Sequence, residues 1–291
     1  MKDAARLLGY FAATILFGTL AAPGLFWGAQ WLAAHGIFPA LAAFDFEAFF
    51  HRALMLGAIL FLWPLLRWLR VKGPRDLGLA PNQHRGRDLA AGFLLSILPL
   101  LFYAIILLFA GIYHLRADVS WLAVANVALT AAIVPLIEEP LFRGLFLGVL
   151  LRGNRPVVAA WLSAGIFSIV HFLKPADQTT PAINWTSGFV ALAHSFDQFA
   201  EPMLLLAGFT TLFLLGWILA DARLQTQSLW LPIGLHAGWI FAAGAFNKIA
   251  QREIVALPWV GKSLQLGLLP LGVGLGTWVL LRAWLRYARE R

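Results

Sequence analysis

Apolar residues fill most of this chain in long runs, and short polar stretches separate the runs. A helix needs about 20 apolar residues to cross the ~30 Å hydrocarbon core of a bilayer. On that measure we predict an all-α polytopic membrane protein, a bundle of about eight transmembrane helices. The predicted spans are 8–34, 50–70, 89–112, 120–151, 156–173, 202–220, 229–247 and 264–286.

Charged residues are scarce: they make up 12% of the chain, and 60% of it is hydrophobic. Soluble domains are charged at about a quarter of their positions, so this composition is typical of a membrane protein. The first span begins with Lys2 and Arg6, as a signal peptide would, but its apolar run continues to Ala34. That run exceeds the about 7 to 15 residues of a cleaved segment, so we interpret it as an anchor. The chain has no cysteine, which excludes disulfides and thiolate metal ligands.

The net charge of +8 comes from basic residues that are distributed unevenly between the two predicted faces of the membrane. Six fall on one face, and fifteen fall on the other: Lys2, Arg6, Arg67, Arg70, Lys72, Arg75, Arg85, Arg87, Arg152, Arg155, Arg223, Arg282, Arg286, Arg289 and Arg291. Cytoplasmic loops carry the excess of Lys and Arg, so we predict that both termini are cytoplasmic. Since the basic residues act as orientation signals, nucleic acid is not an expected partner.

Two adjacent glutamates, Glu138 and Glu139, interrupt the apolar stretch from Trp121 to Leu151. An ionisable residue at membrane depth costs at least ~2.5 to 3.5 kcal/mol, so such a pair indicates function. The other twelve acidic residues fall in connections, in tails or at span ends. This pair is therefore the exception that needs an explanation.

The surroundings of the pair predict different roles for its two members. Residues four apart share a helix face, so Glu139 is predicted to pair with Arg143 while Glu138 points about 100° away. Pro135 and Pro140 each remove a backbone donor, so we predict a kinked or opened helix beside the pair. A packing ion pair would explain Glu139 and Arg143 but would leave Glu138 without a role.

Two histidines are candidates to join Glu138. The turn at 152–156 separates two spans, and Glu138 and His171 each lie 16 residues from its centre, or about 24 Å. Antiparallel neighbours would thus bring them to the same depth, although a lone histidine in a helix is more often a packing residue. His236 falls near the middle of the seventh predicted span, among small residues that permit close helix approach.

A glutamate and two histidines allow two kinds of chemistry. They fit a general base that activates water, with a second imidazole that stabilises an oxyanion. They equally fit a zinc site, because zinc prefers imidazole and carboxylate ligands. The chain lacks the His-Glu-x-x-His helix of zinc metalloproteases and the Gly-x-Ser-x-Gly elbow of serine hydrolases.

Three segments together resemble the motifs of a known family. They are Glu138–Gly144 (EEPLFRG), Phe167–His171 (FSIVH), and His236 after Ser228–Pro232 (SLWLP). These resemble the CAAX-protease and bacteriocin-processing (CPBP) family of intramembrane glutamic endopeptidases, which includes the Ras-converting enzyme. The resemblance covers roughly residues 119 to 245.

The resemblance implies a helical bundle around an enclosed polar cavity and a peptide or protein substrate at the membrane. It implies that Glu138 and His171 activate a water for peptide hydrolysis, that His236 stabilises the oxyanion, and that Glu139 and Arg143 hold the helix geometry. No cofactor is expected; zinc held by Glu138, His171 and His236 is the alternative. The sequence does not identify the residues that bind the substrate.

One position departs from the family pattern. The third motif usually runs His-x-x-x-Asn, but Ile240 stands four residues after His236 and cannot donate a hydrogen bond. One alternative is therefore a catalytically weak binding or immunity protein of the same fold. Another is a proton-coupled transporter, since midplane carboxylates also mark transport. The lack of an inverted repeat counts against transport.

The motifs suggest a division of the chain into three parts. We predict an N-terminal three-helix membrane region at 1–118, a catalytic core at 119–247, and a C-terminal transmembrane helix with a basic tail at 248–291. In the polar connection from Lys174 to Glu201, aromatic and leucine residues recur at helical spacing between 185 and 199. This pattern predicts an amphipathic helix at the membrane surface, with a short re-entrant or packing helix as the alternative.

Overall fold

The structure is a computed structural model that describes residues 2–80, 83–173, 182–254, 256–261 and 263–289. It is 79% helical, so the predicted all-α fold is confirmed. The strands of the described residues are short: β1 (Tyr113–Leu115) pairs antiparallel with β2 (Ala250–Arg252).

The helices follow one another with short connections. They are α1 (Lys2–Ala34), α2 (Phe46–Trp68), α3 (Arg85–Phe109), α4 (Trp121–Glu139), α5 (Leu147–Leu151), α6 (Pro156–Phe172), α7 (Ser187–His194), α8 (Pro202–Leu204), α9 (Thr210–Thr226), α10 (Trp230–Ile249) and α11 (Leu268–Arg289). Wide π turns at Pro140–Phe146 and Leu205–Phe209 join α4 to α5 and α8 to α9. Narrow 3₁₀ turns occupy Pro39–Ala43, Pro74–Leu77 and Asp197–Ala200.

Six segments of the described chain are long and apolar enough to cross a membrane. They are Lys2–Ala34, Phe46–Trp68, Arg85–Phe109, Trp121–Leu151, Pro202–Thr226 and Leu268–Ala288. α6 is apolar but has only 17 residues, and α10 is not among the six. The chain is thus a multi-pass integral membrane protein, while the count of eight spans stays a prediction.

One compact unit comprises Met1–Lys72 and Leu173–Glu201. Its core lies between α1, α2 and α7, where α7 packs so closely that a Cβ on Gly188 would meet the Thr19 carbonyl oxygen at 1.8 Å. The predicted amphipathic helix is thus a shorter helix, packed on α1 through Gly188 and Ala191. Residues 174–181 of that connection lie outside the described residues.

The second compact unit comprises Gly73–Phe172 and Pro202–Arg291. At its centre α3 and α10 pack backbone against backbone, because glycines stand at the crossing. A Cβ on Gly234 would lie 2.2 Å from the Leu89 carbonyl oxygen, and one on Gly238 would lie 2.0 Å from Ser96 Oγ. The predicted close approach around His236 is therefore present, and it fixes the position of α10. The three-part division at 118 and 247 rests on motifs rather than on packing and stays a prediction.

Candidate active site

The backbone beside the glutamate pair opens into a π turn. Pro140 has no N–H to donate to the Leu136 carbonyl, and the residues from Pro140 to Phe146 adopt the wider π geometry. The turn ends with the Leu147 N–H donating to the Phe142 carbonyl, five residues back. This is the opened helix that the two prolines predict, although Pro135 itself stays within α4. The π turn sets the angle at which Arg143 and the residues after it leave the pair.

Glu139 and Arg143 form the predicted pair, and both side chains are fully buried. Arg143 Nη1 donates to Glu139 Oε1 at 2.9 Å, and Nη2 donates to the Gly216 carbonyl of α9 at 3.2 Å. The guanidinium carbon lies 4.3 Å from the centre of the Phe167 ring on α6. One arginine thus connects α4, α6 and α9, because its planar fork presents donors in more than one direction.

Glu139 also binds His236, a contact that the sequence did not predict. His236 Nδ1 lies 2.8 Å from Glu139 Oε1, the same oxygen that accepts from Arg143. An ionised carboxylate can only accept hydrogen bonds, so Nδ1 carries a proton. His236 therefore turns its other nitrogen, Nε2, toward Glu138, at 3.9 Å from Oε2. Glu139 is a positioning residue for this imidazole as well as a partner of Arg143.

Glu138 lies beside both histidines. Its Oε2 is 3.2 Å from His171 Nε2, which is the neighbour that the depth match predicts. The side chains of Glu138 and His171 are 26% and 28% exposed, whereas that of Glu139 is not exposed at all. The two adjacent glutamates thus differ in access: one is enclosed by protein, and the other is open to an incoming molecule.

The hydrogen bonds of His171 determine what lies between it and Glu138. His171 Nδ1 is 2.9 Å from the Phe167 carbonyl oxygen, an acceptor, so Nδ1 is the protonated nitrogen of the neutral ring. His171 Nε2 and an ionised Glu138 Oε2 are then two acceptors that face each other at 3.2 Å. Either a shared proton or a water that donates to both satisfies them. The geometry suits the binding of one water molecule.

A metal is the other possible occupant of this place. Both imidazoles hold Nδ1 by a hydrogen bond and present Nε2, as zinc-binding histidines also do. Within the part of the chain that the structure describes, however, no group of three or more His, Cys, Asp or Glu side chains has the arrangement of a metal site. The zinc alternative therefore stays a prediction for experiment.

Ile240 occupies the position where a second donor was expected. It lies half-buried on α10, one turn after His236. Asn247, the nearest asparagine that follows on α10, is about 16 Å further along the helix axis. Among the polar groups of the described site, His236 is thus the side chain available to stabilise an oxyanion.

The site residues Glu138, Glu139, Arg143, His171 and His236 fall within one family match. The family model of type II CAAX prenyl endopeptidases, Rce1-like, matches residues 119–242. No curated protein and no solved structure matches the chain. The resemblance of the three motifs is therefore confirmed, and residues 119–242 belong to the Rce1-like family of type II CAAX prenyl endopeptidases.

Proposed function

We propose that this protein is an intramembrane endopeptidase that hydrolyses a peptide bond with a water activated by Glu138 and His171. The observation that carries this proposal is the pair of acceptors at 3.2 Å, partly exposed within a membrane segment. The match to a family of endopeptidases supports peptidase activity in general. It also supports a peptide or protein at the membrane as the substrate.

In the proposed mechanism, a water donates one hydrogen bond to Glu138 Oε2 and one to His171 Nε2. As the water oxygen attacks the scissile carbonyl carbon, a C–O bond forms and the electron pair of the carbonyl moves to its oxygen. Glu138 takes the proton that the water loses, because an ionised carboxylate is a suitable general base. Glu138 then delivers this proton to the leaving amine when the C–N bond breaks.

His236 would stabilise the negative oxygen of the tetrahedral intermediate. Its Nδ1 already donates to Glu139, so Nε2 can donate to the oxyanion only when the ring carries a second proton. An imidazolium at His236 is compatible with the surrounding charges. Glu138 and Glu139 contribute two negative charges, and Arg143 and His236 would contribute two positive ones. Donors fixed before the reaction are effective because they need no reorganisation.

The test is a comparison of membrane proteomes from cells that carry the wild-type protein or the Glu138→Gln variant. The amide keeps the shape of the side chain but cannot accept a proton, so we expect at least one fragment to depend on the carboxylate. Glu201→Gln, at an exposed acid outside the site, is the matched control and should yield the same fragment as wild type. Immunoblots verify equal accumulation.

Two outcomes would contradict the proposal. A fragment that persists with Glu138→Gln would remove Glu138 from catalysis. If no fragment depends on the wild-type protein, the result would favour the binding or immunity alternative that Ile240 suggests.

A further inference from the structure

A second polar site lies at the end of α10, well away from Glu138. It is a pocket lined by Tyr113, Arg116, Asn247, Ala250, Gln251 and Arg252, where β1 and β2 pair. Asn247 is eleven residues past His236 on α10, which corresponds to about 16 Å. The proposed peptidase chemistry therefore does not use this pocket.

The lining of the pocket favours an anion. Its polar side chains all carry donors, two of them are arginines, and no carboxylate lines it among the described residues. Arg116 is exposed and lies 3.5 Å from Gln251 Oε1 through Nη1. Arg252 Nη1 donates to the Gly261 carbonyl at 3.0 Å, which holds its guanidinium at the pocket. Arginine is the side chain best suited to bind phosphate oxygens.

Two buried donors in the pocket have no acceptor. Tyr113 is only 2% exposed, yet neither its hydroxyl nor Arg252 Nε makes a hydrogen bond to any residue that the structure describes. Burial raises the pKa of Tyr113, and Arg252, which faces it across the strand pair, opposes this rise only in part. The hydroxyl thus stays neutral and can donate. Since an unsatisfied buried donor costs about 1 to 3 kcal/mol, an oxygen-rich ligand would remove a cost built into the fold.

The residues around the pocket indicate that the anion carries an apolar tail. Leu115, Trp121, Leu122 and Trp259 follow or flank the lining residues in the chain, and each is more than half exposed. Trp121 begins the span that contains α4, and tryptophans concentrate where a membrane meets water. A phosphate group at the pocket would therefore sit at headgroup level, with acyl chains beside the exposed apolar residues.

We propose that this pocket binds the phosphate of an anionic phospholipid, with Arg116, Arg252 and the Tyr113 hydroxyl as donors. A bound lipid would stabilise the pairing of β1 with β2, and β2 directly follows α10, the helix that carries His236. The site is thus a lipid-binding site of the protein, distinct from the position of the reacting peptide.

The experiment measures lipid binding by the purified full-length protein with native mass spectrometry and thermal unfolding in detergent. The probes are phosphatidylglycerol, phosphatidylcholine and inorganic phosphate. We expect phosphatidylglycerol to bind most tightly and to raise the melting temperature. Arg116→Gln should weaken its binding about fivefold, since an arginine near an anionic surface contributes about 1 kcal/mol. Tyr113→Phe should weaken it about tenfold through loss of a hydrogen bond to a charged group.

Arg155→Gln is the matched control, because Arg155 is an exposed arginine at the turn before α6. It should bind phosphatidylglycerol as wild type does. Folding is preserved in the two test variants for stated reasons: the Arg116 backbone N–H still donates to the Ile249 carbonyl at 2.8 Å, and Tyr113→Phe removes a hydroxyl without a partner. Their melting temperatures without lipid verify this.

Three results would overturn the proposal. Equal affinity for phosphatidylglycerol and phosphatidylcholine would exclude an anion-selective site. Inorganic phosphate that binds as tightly as the lipid would indicate a small-anion site. Unchanged phosphatidylglycerol binding by both Arg116→Gln and Tyr113→Phe would mean that the lipid binds elsewhere. None of these results depends on peptidase activity.

Discussion

Two carboxylates in membrane segments, Glu139 and Asp221, have similar partners and different surroundings. Glu139 accepts from Arg143 at 2.9 Å and lies 2.8 Å from His236. Asp221 on α9 accepts from Arg282 and from Trp278, both at 3.0 Å and both on α11. Arg143 is fully buried, whereas the Arg282 side chain is 39% exposed.

The difference lies in which partners can change their protonation. The arginine and tryptophan at Asp221 are fixed donors, so this carboxylate does no more than connect α9 to α11. At Glu139 one partner is an imidazole, whose second nitrogen faces another carboxylate, Glu138. A buried ion pair in a membrane protein is thus weak evidence of chemistry by itself; a titratable partner with a second, accessible carboxylate is stronger.

The largest expected effect separates the two carboxylate sites by activity. On a peptide that contains the cleavage site, we expect Glu138→Gln to reduce the rate by about 10²- to 10⁴-fold, because the general base is lost. Asp221→Asn should leave the rate nearly unchanged, since Asp221 touches no reacting group. The measurement is cleavage by purified variants with matched melting temperatures. A loss of equal size in both variants would mean that the comparison reports folding rather than catalysis.

The next effect separates the two arginines by stability. Arg143→Ala leaves Glu139 buried with one donor fewer, which we expect to cost roughly 3 to 5 kcal/mol of unfolding free energy. Arg282→Ala should cost about 1 kcal/mol or less, because its partly exposed charge is screened by solvent. Reversible unfolding in mixed micelles measures both. Similar costs for the two variants would show that burial does not distinguish the pairs.

Arg143→Lys refines the same comparison. Lysine keeps the positive charge beside Glu139 but lacks the planar fork that also reaches the Gly216 carbonyl. We expect it to recover only part of the stability that Arg143→Ala loses. Full recovery would mean that charge alone matters and that the contact with α9 contributes little.

A smaller effect concerns the donor that is missing at position 240. Ile240→Asn adds a side-chain donor one turn after His236, and a well-placed oxyanion donor is worth ~10²- to 10³-fold in rate. We expect a gain of about tenfold, below that ceiling, because the surrounding residues pack against isoleucine. Ile240→Val is the control and should give no gain. A large loss with folding intact would indicate that Ile240 shapes the substrate pocket.

The smallest expected effect is that of chelation. If Glu138 activates water directly, prolonged treatment with a chelator should leave the cleavage rate unchanged, and the purified protein should contain substoichiometric zinc. Elemental analysis and the rate before and after dialysis measure this. Stoichiometric zinc whose removal abolishes cleavage and whose return restores it would require the metal mechanism.

The sequence predicted those parts of the site that depend on position along one or two helices. The pairing of Glu139 with Arg143 follows from helical spacing, and the meeting of Glu138 with His171 follows from counting residues on both sides of one turn. The family followed from the order and spacing of three motifs.

The sequence could not predict the contacts that depend on the lateral arrangement of helices. The bond between His236 and Glu139 joins residues 97 apart, and that between Arg143 and the Gly216 carbonyl joins residues 73 apart. Helical periodicity states which face a residue occupies but not which helix lies opposite. A backbone carbonyl, moreover, leaves no signal in the identity of its residue, so Gly216 offered no indication of its role.

The π turn at Pro140–Phe146 has a consequence for insertions and deletions. A π turn closes five residues back rather than four, so removal of one residue would allow α-helical closure. Glu138 and Glu139 would then rotate by about 100° relative to α5 and α6. A change of one residue in the length of this turn, with every side chain of the site still present, is therefore enough to separate Glu138 from His171.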